Sequence, residues 1–244
     1  MLLIESKARG WKAVFGAMNS LHEEATFRAD ETGIFFYCLE SSHNCSLEMF
    51  WPKSNLAKLE IDSPQEIGFK ISEMNKIFSR IGEDADVRIE KLDTGFLRIE
   101  TGEKKFEPRL INLELITAAP KIKIDYKEEL KIDPKKLNEI VKDILIFNEH
   151  MIFEIKGGVL YFRCDKPNGK YETVLGSGYS RDMLYELSID YFSKVIDPIS
   201  SLITALSMNF GWSEEKNKPW PTLFLIGVEG VGEIKFYLAP ILKD

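Results

Sequence analysis

The chain has 244 residues, 44 % of them hydrophobic and 29 % charged, enough to bury a sizeable core in one large domain or two ordinary ones. Its net charge of -7 argues against a generally cationic nucleic-acid binder. Three cysteines make no secreted disulfide framework, apolar runs such as Phe35-Phe36-Tyr37-Cys38-Leu39 are too short to span a bilayer, and no leader pattern opens the sequence, so an intracellular protein is expected.

In chain order, Trp11, Val14, Phe15, Met18 and Leu21 recur at helical spacing over residues 9–21. Two strand-like runs follow, 25–29 and 33–38, joined by Asp30-Glu31-Thr32. A second helix opens at Ser72, carries Met74, Ile77, Phe78 and Ile81, and closes at Gly82. Short strands come next, with a turn at Leu92-Asp93-Thr94-Gly95 and a last strand at Lys104-Lys105-Phe106-Glu107. Residues 115–124 (LITAAPKIKI) read as an extended connector, Pro120 disfavouring helix.

The same order then recurs. Asp133 is a helix N-cap with Pro134 at the first helical position, and Leu137, Ile140, Val141 and Ile144 form the stripe. Strands 151–155 and 159–164 flank a Lys156-Gly157-Gly158 turn. Ser188 opens a shorter helix with Ile189, Phe192, Val195 and Ile196, stopped by Pro198. Strands with a Val228-Glu229-Gly230 turn close the half, the last of them, Ile234-Lys235-Phe236-Tyr237, rhyming with residues 104–107. Helix, strands, helix, strands, given twice, predicts an α+β chain of two similar domains, 1–114 and 126–244, joined by a connecting loop at 115–125. Each domain is expected to lay two helices on one face of an antiparallel sheet.

Charge is distributed unevenly over these elements. Four helix windows, 7–22, 72–82, 133–146 and 188–197, hold 9 Lys or Arg against 6 Asp or Glu in a chain that is acidic as a whole. A lysine-bearing helix face is ordinarily a solvated face. Its meaning changes if the helices of several subunits line one channel, where the charges add and attract a phosphate backbone without reading bases.

The stretch from Cys38 to Cys45, CLESSHNC, invites chemistry. Cys38 beside His43 offers a nucleophile and a base, yet no phosphate loop, oxyanion-hole motif or orienting acid stands at recognised spacing. As a zinc site, Cys38, His43 and Cys45 fall short on ligand count and spacing. Cysteines on adjacent strands are more simply small buried hydrophobes.

Several motifs stand in a fixed order on this duplicated scaffold: Leu21-His22-Glu23-Glu24-Ala25-Thr26-Phe27, Glu40-Ser41-Ser42-His43, Met74-Asn75-Lys76-Ile77-Phe78 and the closing Lys235-Phe236-Tyr237-Leu238-Ala239-Pro240. Together they resemble, over essentially the whole chain, the sliding DNA clamps of the proliferating cell nuclear antigen family. The resemblance implies a ring of three subunits around duplex DNA, without catalysis, cofactor, metal or membrane attachment. It also implies tethering of DNA polymerase, flap endonuclease, DNA ligase and the clamp loader, in the cytoplasm of an archaeon or the nucleus of a eukaryote.

Carried onto this sequence, the resemblance puts Lys12, Lys76, Arg80, Lys142 and Lys194 toward DNA, with Arg9, Lys135 and Lys136 one or two positions of slippage from that face. A partner-peptide pocket draws on Leu39, His43, Leu115, Ile116, Pro221, Tyr237 and Pro240. Subunits join through edge strands 104–110 and 170–175, represented by Lys105, Phe106, Tyr171 and Thr173; Pro108 suits an edge. Two departures stand out. Residues 210–221 (FGWSEEKNKPWP) are longer than the family's turn, reading as a surface hairpin or a partner-specific patch, and the fourth helix offers only Lys194 as a basic residue. A specialised subunit of a heterotrimer or a checkpoint-type clamp is the alternative, differing in edge-strand complementarity.

Overall fold

The computed structural model describes residues 1–113 and 122–241. The first half runs β1 (Leu2–Lys7), α1 (Ala8–Met18), β2 (Glu24–Asp30), β3 (Gly33–Leu39), β4 (Cys45–Pro52), β5 (Lys58–Ile61), β6 (Gln65–Lys70), α2 (Ile71–Ser79), β7 (Asp86–Lys91), β8 (Leu97–Thr101) and β9 (Lys104–Phe106). The second runs β10 (Glu128–Lys131), α3 (Pro134–Leu145), β11 (His150–Lys156), β12 (Val159–Lys166), β13 (Gly169–Ser177), β14 (Met183–Ser188), α4 (Ile189–Ile196) and β15 (Ile203–Phe210). A small hairpin follows, β16 (Trp212–Ser213) with β17 (Lys218–Pro219), then β18 (Thr222–Val228), β19 (Gly232–Leu238) and β20 (Pro240–Ile241).

Local chemistry explains the boundaries. The Asp133 carboxylate accepts from the backbone amides of Lys135 and Lys136 at 2.8 and 3.1 Å, satisfying two of the free donors at the start of α3. Gly157 and Gly158 both take positive φ, 57° and 78°, which a two-residue hairpin turn between β11 and β12 requires. The second helix starts one residue ahead of the sequence reading, at buried Ile71, so Ser72 lies in its first turn and caps nothing. After α4 the chain tightens into a 3-10 turn, Asp197–Leu202, with Pro198 in its first turn. A side chain on Gly16 would put its Cβ 2.8 Å from Pro198, so glycine lets α1 meet this turn across the two halves.

Every strand pair is antiparallel, but the sheets are not one per half. The orders are β5-β1-β7-β8-β9, β10-β15-β18-β19-β4-β3-β2-β6 and β13-β12-β11-β14-β20. The eight-stranded sheet crosses the halves through β19 and β4, paired from Glu233 with Phe50 to Leu238 with Cys45. By the repeat, β1, β7, β8 and β9 correspond to β10, β15, β18 and β19, and β13 corresponds to β4. Among the edge strands of these sheets, β9 and β13 are therefore the counterparts of the two strands joined in the middle.

The helices sit on one face. Trp11 and Phe15 of α1 meet Phe27, Phe36 and Phe69 from β2, β3 and β6, while Phe192 of α4 lies 4.7 Å from Phe224 on β18. The registers place Phe36 and Phe224 on the same side of the eight-stranded sheet. Phe35, Tyr37, Leu39 and Tyr237 therefore lie on its other side.

Candidate interfaces for nucleic acid and partner peptides

All eight predicted phosphate-facing residues lie on the helix layer. Arg9 and Lys12 are on α1, Lys76 on α2 with Arg80 as its C-cap, Lys135, Lys136 and Lys142 on α3, and Lys194 on α4. Each is exposed except half-buried Lys12. Lys194 differs in being paired with Asp190 one turn earlier, and that hydrogen bond raises its pKa. The other seven make no ion pair among the described residues. Lys104 on β9 donates to the Arg80 carbonyl at 3.0 Å, tying the free edge strand to the end of α2.

The predicted peptide residues gather on the opposite face of the shared sheet. Register places Leu39, Ser46, Tyr237 and Leu223 abreast on β3, β4, β19 and β18. Pro221 immediately precedes β18, and Pro240 begins β20 against Leu187 of β14. His43 is exposed in the loop after β3, with φ of 61°. Leu115 and Ile116 lie outside the described residues. Tyr237 is 7 % exposed, and burial, then the carboxylate of Glu48, raises its phenol pKa.

Sequence reasoning passed over Tyr126. Its hydroxyl donates to the Pro221 carbonyl at 2.6 Å, its ring meets Trp220 edge-on at 6.0 Å, and burial pushes its pKa upward. An aromatic one residue beyond the predicted connector was the available signal. The 210–221 extension forms the surface hairpin of β16 and β17, whose exposed polar tip spans residues 214–218. Arg181 lies over the Trp212 ring at 4.8 Å and pairs with Glu214 at the tip. Between this hairpin and β14 opens a cleft of about 490 Å³, lined by Ile152, Leu184, Trp212, Pro219 and Ile241 among others.

The predicted joining residues sit on two edge strands: Lys105 and Phe106 on β9, Tyr171 and Thr173 on β13. Tyr171 is partly buried and packs against the core, and burial, then the Asp143 carboxylate of α3, raises its phenol pKa. Cys38 and Cys45 are 2 % and 3 % exposed on β3 and β4. Burial raises both thiol pKa values, that of Cys38 to about 12, which disfavours the thiolate a nucleophile needs. Among the described residues, no group of three or more His, Cys, Asp or Glu is placed to hold a metal ion.

Residues 5–116 match the family model described as proliferating cell nuclear antigen, N-terminal domain. Likeness to the proliferating cell nuclear antigen (PCNA) family extends beyond those residues to the whole chain. The DNA polymerase sliding clamp of Nitrosopumilus maritimus is 27 % identical over 245 residues, covering 96 % of this chain and 95 % of that one. Its namesake from Cenarchaeum symbiosum is 26 % identical over 240 residues, covering 94 % and 93 %. The fold matches that of A. fulgidus PCNA, solved with the C-terminal region of FEN-1 bound, with TM-score 0.88 and 17 % identity over 100 % of both chains. PCNA from Thermococcus kodakaraensis gives 0.84 and 16 % over 99 % of this chain and 100 % of that one.

Proposed function

We propose that the chain is one subunit of a sliding DNA clamp, a ring of three that encircles duplex DNA without catalysing a reaction and tethers enzymes of replication and repair. The observation that carries this is a pair of edge strands, β9 and β13, related by the repeat to the pair already joined within the chain. The join of β4 to β19 already shows how the two halves of one chain connect, and β13 and β9 are its repeat counterparts. Repeating that join between β13 of one copy and β9 of the next propagates a single heterologous contact, which closes when its rotation fits. Every helix then faces the same way, and the exposed cations of the helix layer turn toward the duplex they enclose.

Polymerase, flap endonuclease, ligase and clamp loader are the partners this reading assigns to the outer face, through the row from Leu39 to Tyr237 and the walls at His43, Pro221 and Pro240. Such a site takes a short peptide with aromatic and aliphatic anchors. The extended backbone of β20, an outer edge of its sheet, suits the same ligand. Light scattering on the purified chain tests the assembly. A homotrimer gives three times the 28.0 kDa of one chain; a mass of one chain at micromolar concentration contradicts it and points to partner subunits.

A further inference from the structure

Glu40 is 6 % exposed, and among the described residues no cation pairs with it. A buried carboxylate in that position has to be satisfied by hydrogen-bond donors. Its own loop supplies them. The Ser41 hydroxyl donates to Oε1 at 3.1 Å, while the backbone amides of Ser42 and Asn44 donate to Oε2 at 2.9 and 3.3 Å. The main chain closes the same turn, with Glu40 N donating to Cys45 O at 3.0 Å and His43 N to Glu40 O at 2.8 Å. His43 is thereby held at φ of 61°, a region that a non-glycine residue keeps only when its surroundings fix it.

The consequence reaches the other half of the chain. The Asn44 carbonyl accepts from the Ala239 amide at 2.8 Å, and Ala239 lies between the last residue of β19 and Pro240. One carboxylate thus fixes a turn of the first half whose carbonyl anchors the closing segment of the second.

We propose that Glu40 is a positioning residue of the peptide site: its carboxylate sets the His43 wall and, through the Asn44 carbonyl, the Pro240 wall, both beyond the same end of the strands that carry the row from Leu39 to Tyr237. The assignment rests on the peptide-site reading given above. The side chain touches no partner itself; it holds the two walls at a fixed separation before a peptide arrives, which cuts the ordering cost of binding.

The test compares Glu40→Met, of similar length with no acceptor for backbone amides, with Glu40→Gln, whose side-chain carbonyl still accepts from them. The full-length chain is titrated with a fluorescent peptide of the A. fulgidus FEN-1 C-terminal region, and amide hydrogen exchange is followed at Ala239. Glu40→Met is expected to weaken the peptide at least tenfold and speed Ala239 exchange at least tenfold, with Glu40→Gln recovering most of both. Affinity equal to wild type in Glu40→Met, or lost affinity with Ala239 exchange unchanged, overturns the proposal. A wild-type chain that ignores the peptide contradicts the peptide-site reading instead, and exchange at Ala239 still decides whether the carboxylate holds the closing segment.

Discussion

Replacing Trp11 by alanine is expected to destabilise the first half by about 3–5 kcal/mol, the usual result of deleting a large buried aromatic. Trp11 is 0 % exposed and meets Trp51 at 5.1 Å, Phe15 at 5.7 Å, Phe78 at 5.8 Å and Phe36 at 5.9 Å. Those rings come from both helices and from β3 and β4, so the cavity opens where the layers join. The indole also donates to the Ser6 hydroxyl at 2.7 Å, and its loss strands a polar atom that is itself buried. Against a typical domain stability of about 5–15 kcal/mol, the loss leaves little. Urea unfolding followed by circular dichroism measures it. Trp11→Phe, which keeps a ring and gives up the donor, is expected to cost far less. An unfolding midpoint unchanged in Trp11→Ala would show that the aromatic cluster does not organise this half.

The second large effect concerns charge. Replacing Lys12, Lys76, Arg80 and Lys142 together by alanine is expected to weaken binding to duplex DNA at least tenfold. Each lost phosphate contact should also lower the slope of log affinity against log salt by about 0.9. None of the four makes an ion pair among the described residues, and all are exposed or half-buried, so the melting temperature should move little. Lys194→Ala should have less effect, because Asp190 already neutralises part of that charge. A fourfold variant with an unaltered salt slope would move the DNA contact away from the helix layer.

Elements fixed by neighbouring residues were legible in the sequence. Asp133-Pro134 announced the start of α3 and Gly157-Gly158 the turn between β11 and β12, because caps and tight turns depend on a few adjacent side chains. That β9 and β13 are edges was legible from position, although β9 stops at Phe106, short of the expected 104–110, and leaves Pro108 outside the strand. The seam between β4 and β19 was not: alternation tells which face of a strand is buried, and nothing in it names the neighbouring strand. Contacts of long range were hidden for the same reason. Tyr126 finds its acceptor 95 residues away, at Pro221, and Asn44 meets Ala239 only because the halves share a sheet. The motif Glu40-Ser41-Ser42-His43 drew notice for its histidine, while its carboxylate organises the turn.

A ring assembled as proposed would surround DNA without gripping a sequence. The direct measurement loads it with its clamp loader and ATP onto nicked circular duplex, strips loose binders with salt, and then cuts the circle once. Retention on the circle with release after linearisation is the predicted result. Equal retention on both forms, or release from both at the same rate, would contradict a ring that slides.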